Sequence, residues 1–169
     1  AGSDSGTFDY FTEAIVGKAK SSRGDYTASE DDNVVVQGVA SDKGSLGYFG
    51  FAYYDENKDK LRAIPIVAKK GAQAIMPTFE SVKDGSYQPL ARPLFIYVNA
   101  TSAAFKPEVK AFVDFYLANA PTLVKEVKYI PLPTNEYVAV TKHFKALKPG
   151  TGFDGTPEVG VKIEELLAR

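Results

Sequence analysis

The 169-residue sequence has no cysteine, no tryptophan, one methionine and one histidine. Without cysteine there can be no disulfide, no thiol catalysis and no cysteine-based metal site. The same absence assigns no cellular compartment. With His143 alone there is also no Cys–His pair and no histidine-rich zinc site. A Ser-His-Asp triad would have to use His143, which stands in the run Lys142-His143-Phe144-Lys145 with no nucleophile-elbow motif. We expect it to be an exposed helical side chain. Positive charge is not in excess either. The 20 basic and 21 acidic residues leave a net charge of -1, which argues against a nucleic-acid binder working through a basic field. No run approaches the roughly 20 apolar residues that cross a bilayer, and neither an initiating methionine nor a secretory leader is visible.

Hydrophobic residues make up 44% of the chain, enough for a packed core. Phe8, Phe11 and Ile15 give residues 7–18 an amphipathic helical face. Ser29 reads as the cap of a second helix, with Glu30 and Asp31 in its first turn, Asp32 three residues on, and Val34, Val35, Val36 and Val39 as its apolar side. Residues 46–54 read as a buried strand passing into a short helix, and 61–67 and 93–99 as strands. One or two helical turns are expected over 77–84. Residues 106–118 have strong helical periodicity opened by Pro107, and a separate shorter helix is expected over 121–127. The last helices are expected over 135–147 and 157–168. Interleaved helices and short strands predict an α/β layered fold, with residues 85–93, rich in glycine and proline, as a crossing between lobes.

The most informative stretch is Ser5-Gly6-Thr7, running directly into the helix that begins Phe8-Asp9-Tyr10-Phe11. Ser5 and Thr7 offer hydroxyls, and Gly6 presents no side chain to obstruct a ligand. The first amides of a helix lack intrahelical acceptors and sit at the positive end of its dipole. Together these make a site for a small oxyanion. The bland alternative, an ordinary capped helix start, uses the same residues. A motif so near a free terminus would be poorly held, so a truncated or processed chain is expected. Glu30, Asp31 and Asp32 look like a metal cluster but read better as acids favoured by a helix N-terminus. Tyr10, Tyr48, Tyr53 and Tyr54 read as core or surface aromatics.

Taken in order, Ser5-Gly6-Thr7-Phe8-Asp9-Tyr10-Phe11, Arg23-Gly24-Asp25-Tyr26-Thr27, Ser29-Glu30-Asp31-Asp32-Asn33, Gly47-Tyr48-Phe49-Gly50, Pro93-Leu94-Phe95-Ile96-Tyr97-Val98 and Ile130-Pro131-Leu132-Pro133 resemble the periplasmic phosphate-binding proteins of ABC phosphate importers. The resemblance implies two α/β lobes joined by a hinge, with phosphate in the cleft. By that resemblance residues 1–88 form most of the second lobe and carry the phosphate loop. Residues 89–169 return into the first lobe, whose N-terminal part is expected to be a separate partner segment. The implied function is capture of inorganic phosphate and its delivery to a membrane permease, outside the cytoplasm, with no cofactor, metal, nucleic acid or covalent chemistry. Ser5, Gly6 and Thr7 match the phosphate loop. Many members have an arginine four or five residues before that serine, where this sequence has Ala1 at four, so Arg23 is the substitute candidate. Asp4 could orient such an arginine or cap the helix, and Tyr26 could line the cleft. The implied rivals are a binder of sulfate or molybdate, a phosphate-ester-processing enzyme, and the ligand-sensing domain of a regulator.

Overall fold

The structure is a computed structural model that describes residues 1–153, 155 and 158–168. Helix α1 spans Gly6–Val16 and ends at the C-cap Gly17, whose amide bonds back to the Glu13 carbonyl. Its inward face buries Phe8 and Thr12. Thr12 is 3% exposed. Its hydroxyl lies 2.8 Å from the Phe8 carbonyl and accepts the Lys20 amide at 2.8 Å, which ties the following loop to the helix. Thr12→Val keeps the shape but strands the Lys20 amide, which costs about 1–3 kcal/mol. In the full-length protein a thermal melt should therefore fall by several degrees, and an unchanged melting temperature would refute this account.

Helix α2 spans Asp32–Ser41 and is capped by Asp31, whose carboxylate accepts the Asn33 amide at 2.9 Å. Ser29, expected as the cap, lies outside the helix and accepts the Asp31 amide at 3.1 Å. Asp31 wins because the helix begins two residues later than the acid-rich run suggests. Residues 46–50 form no ladder and lead into α3, Phe51–Glu56, which packs on α2. Of the expected strand over 61–67, only β1, Ile66–Val67, pairs, antiparallel, with β2, Ala74–Ile75. Helix α4, Phe79–Lys83, falls within the turns expected over 77–84, and Thr78 and Ser81 close a capping box at its start.

Residues 93–99, expected as a strand, join no ladder among the described residues. They end in a helix not foreseen, α5, Ala100–Phe105, capped by the Asn99 side chain on the Ser102 amide at 2.8 Å. Helix α6 then runs unbroken over Pro107–Glu126, where two helices were expected. Pro121 removes one amide, yet the apolar stripe of Val113, Leu117 and Ala120 is buried continuously up to it. Packing outweighs the lost hydrogen bond. Helices α7, Thr134–Lys145, and α8, Ile163–Ala168, complete a run in which α5, α6, α7 and α8 pack in succession. The expected start of the last helix at Pro157 lies outside the described residues. No helix among the described residues is long and apolar enough to cross a membrane.

Candidate functional site

The N-terminus of α1 is built as its sequence suggests. The Ser5 hydroxyl accepts the Thr7 amide at 3.1 Å, and the Ser5 carbonyl accepts the Asp9 amide at 3.2 Å. Three amides, of Gly6, Thr7 and Phe8, precede that first helical turn of bonds. Ser5 meets the middle one, and helical geometry leaves those of Gly6 and Phe8 to find acceptors outside the helix. The Ser5 and Thr7 hydroxyls can each still donate their own proton. The dipole of α1 adds partial positive charge at the same place.

Asp4 does not cap α1, since Ser5 does. Its amide instead donates to the Glu30 carboxylate at 3.1 Å, which binds the start of α2 to the loop. Glu30 can approach because Gly2 has no Cβ, which would sit 2.0 Å from Glu30 Oε1. The three acids therefore divide their work. Glu30 braces the loop, Asp31 caps α2, and Asp32 opens its first turn. Among the described residues no group of three histidines, cysteines, aspartates or glutamates is placed to hold a metal ion.

Arg23 is exposed on the loop after α1. Asp25 takes its Nε at 2.7 Å and also its Nη2, and this bond raises the guanidinium's pKa above its usual value. Arg23 borders a shallow depression together with Ser3, Asp4, Lys20 and Tyr26. Tyr26 stacks on Phe8, with centroids 6.3 Å apart, so it anchors this loop to α1. Phe11 stacks on Tyr48 with centroids 3.9 Å apart and ring planes nearly parallel, and joins α1 to the segment before α3. His143 is partly buried on α7, not fully exposed as expected, and lies far along the chain from this loop.

Sequence reasoning missed the connection between α1 and the crossing. The Tyr10 hydroxyl donates to the carbonyls of Pro89, at 2.8 Å, and Ala91, at 3.2 Å. Burial, the largest influence, raises the Tyr10 pKa, so the hydroxyl remains a neutral donor at physiological pH. The next residue, Arg92, lays its guanidinium over the Tyr10 ring, 5.4 Å from the centroid. A Cβ at Gly6 would stand 3.5 Å from Arg92 Nη2. No local signal connects residues 6 and 92 in the sequence. The only clue is the pairing of a crossing rich in proline and glycine with an aromatic helix face.

Residues 1–120 match the PBP superfamily domain. Protein SphX of Synechococcus elongatus is 54% identical over 166 residues, which cover 98% of this chain and 48% of that protein. The phosphate-binding protein PstS of Staphylococcus haemolyticus is 36% identical over 145 residues, covering 85% of this chain and 44% of that protein. Among solved structures, a possible phosphate binding protein from Planctomyces limnophilus is 48% identical with a TM-score of 0.72, over 86% of this chain and 51% of that one. The chain thus spans about half the length of the curated relatives it matches.

Proposed function

The chain belongs to the PBP superfamily, and on that premise we propose that it is part of a solute-binding protein that takes inorganic phosphate at the N-terminus of α1. The carrying observation is the Ser5-Gly6-Thr7 turn, where a serine-capped helix start puts two hydroxyls and the first helix amides at the positive end of α1. Similarity to a protein named for phosphate binding supports the choice of oxyanion. In this reading Ser5 and Thr7 donate hydroxyl protons, and Gly6 gives its amide and the space for close approach. Asp25 holds Arg23 by Nε and Nη2, leaving Nη1 to grip a phosphate oxygen. Asp4 and Tyr26 shape the loop from behind. Residues 1–88 serve as the lobe carrying the loop, and residues 89–169 as the return into the other lobe. Lobe closure follows from tighter binding to the closed form. The protein then works outside the cytoplasm and hands phosphate to an ABC permease, without covalent chemistry.

The test is calorimetric titration of the full-length protein with phosphate and then sulfate. Phosphate should bind at least about 100-fold tighter than sulfate if the rest of the polypeptide adds a carboxylate that accepts the ligand's proton, because fully ionised sulfate has no proton to give it. Equal affinities would move the assignment to a general oxyanion binder. Absence of any response to phosphate would remove the proposal.

A further inference from the structure

We propose that Arg92, contributed by the end of the lobe crossing, is an anion ligand that works together with the N-terminus of α1. The inference rests on the phosphate reading above and adds a charge that the sequence did not single out. Two positive features face each other here. One is the amide end of α1 at Gly6, and the other is the Arg92 guanidinium, 3.5 Å from the position of a Gly6 Cβ. Like charges at this distance repel unless an anion lies between them or beside them. Among the described residues no carboxylate makes an ion pair with Arg92. Its neighbour is instead the face of Tyr10, which orients a guanidinium without neutralising it. The side chain is exposed, so solute can reach it. Any side chain at residue 6 would extend into the same space, which gives the glycine of the Ser-Gly-Thr turn a second purpose.

Tyr10 is the positioning residue. Its hydroxyl bonds to Pro89 and Ala91 fix the backbone that delivers Arg92 to α1. An anion held by both the loop and Arg92 would tie α1 to the crossing itself, so binding and lobe orientation would be coupled through one salt link.

The test uses the full-length protein titrated with inorganic phosphate, comparing wild type with Arg92→Gln, Arg92→Lys, Tyr10→Phe, Tyr10→Phe/Arg92→Gln and Ser5→Ala/Thr7→Ala. Arg92→Gln should weaken phosphate about 10- to 100-fold, the effect of losing a charge-assisted bond. Arg92→Lys should restore part of the loss. The phosphate affinity of wild type should fall more steeply with added salt than that of Arg92→Gln. Tyr10→Phe should weaken phosphate a few-fold in the wild-type background and not at all on top of Arg92→Gln, which a merely structural role would not produce. If Ser5→Ala/Thr7→Ala abolishes binding while Arg92→Gln leaves it unchanged, Arg92 is no ligand and the phosphate reading stands. If wild type fails to bind phosphate, both fall.

Discussion

In the full-length protein, Ser5→Ala/Thr7→Ala should lower phosphate affinity by at least two orders of magnitude while leaving the protein folded. The two residues act differently. Thr7 stands in the first turn of α1, so its hydroxyl is a donor and the helix does not depend on it. Ser5 has a double duty, because its oxygen already accepts the Thr7 amide at 3.1 Å while its proton is available to a ligand. Removing Ser5 alone therefore costs about 1 kcal/mol of stability as a lost cap. It also frees the Thr7 amide, which could turn to the anion and recover part of the binding. Thr7→Ala has no such compensation. Each hydroxyl bond to a charged oxygen contributes about 1.5–3 kcal/mol, so losing both costs about 3 kcal/mol or more, over 100-fold in the dissociation constant. Calorimetry on the single and double variants, with thermal melts beside it, separates the roles. The melt should drop with Ser5→Ala and hardly move with Thr7→Ala. Undiminished phosphate affinity in the double variant would show that the turn is only a helix cap, which is the bland meaning the sequence also allows.

The loop was legible because everything it needs is local. A serine cap, a glycine, a threonine and an apolar stripe occupy consecutive positions, and α1 starts at Gly6 behind Ser5; its end falls at Val16, two residues before the expected Lys18, because Gly17 takes the left-handed capping conformation. The cap of α2 was displaced by two residues because Ser29, Asp31 and Asp32 can all cap, and only the position of the first buried turn chooses among them. Pro121 misled in the opposite direction, since a local penalty was overridden by the buried stripe of Val113, Leu117 and Ala120. Strands fared worst. Residues 46–50 and 93–99 have the composition of strands, but a ladder needs a partner, and pairing is not a property of one segment. Arg92 stayed invisible for the same reason. It meets Gly6 only after the chain has passed through α2, α3, the β1–β2 ladder and α4. Arg23 could be singled out because it stands near the loop in sequence.

The second large effect concerns these 169 residues produced by themselves, which should associate with one another and fail to melt cooperatively. A compact monomer of 18.3 kDa is expected to expose roughly 8,100 Å². This chain exposes 11420 Å². The surplus of about 3,000 Å² is what one side of a very large permanent interface presents. Its chemistry is also wrong for solvent. Phe105 is 82% exposed, Leu46 79%, Tyr97 73% and Phe112 67%, and among the described residues no large side chain is fully buried. Leu94, Phe95, Ile96 and Tyr97 are exposed as well, on a segment that joins no ladder among the described residues and so leaves its backbone open to pairing. The curated relatives are about twice as long as this chain, so they have the polypeptide to cover such a face. We therefore expect the 169 residues alone to elute as multimers and to bind a hydrophobic dye strongly, whereas the full-length protein is monodisperse and binds it weakly. Charging two of the most exposed rings, with Phe105→Glu and Phe112→Glu together, should shift the isolated chain toward monomer if apolar contact drives the association. The same pair should destabilise the full-length protein by several kcal/mol if another part of the polypeptide lies on that face, since each carboxylate would then be buried without a partner. A monodisperse, cooperatively melting 169-residue monomer would mean instead that residues 93–99 and the outer face of α6 find cover within this chain.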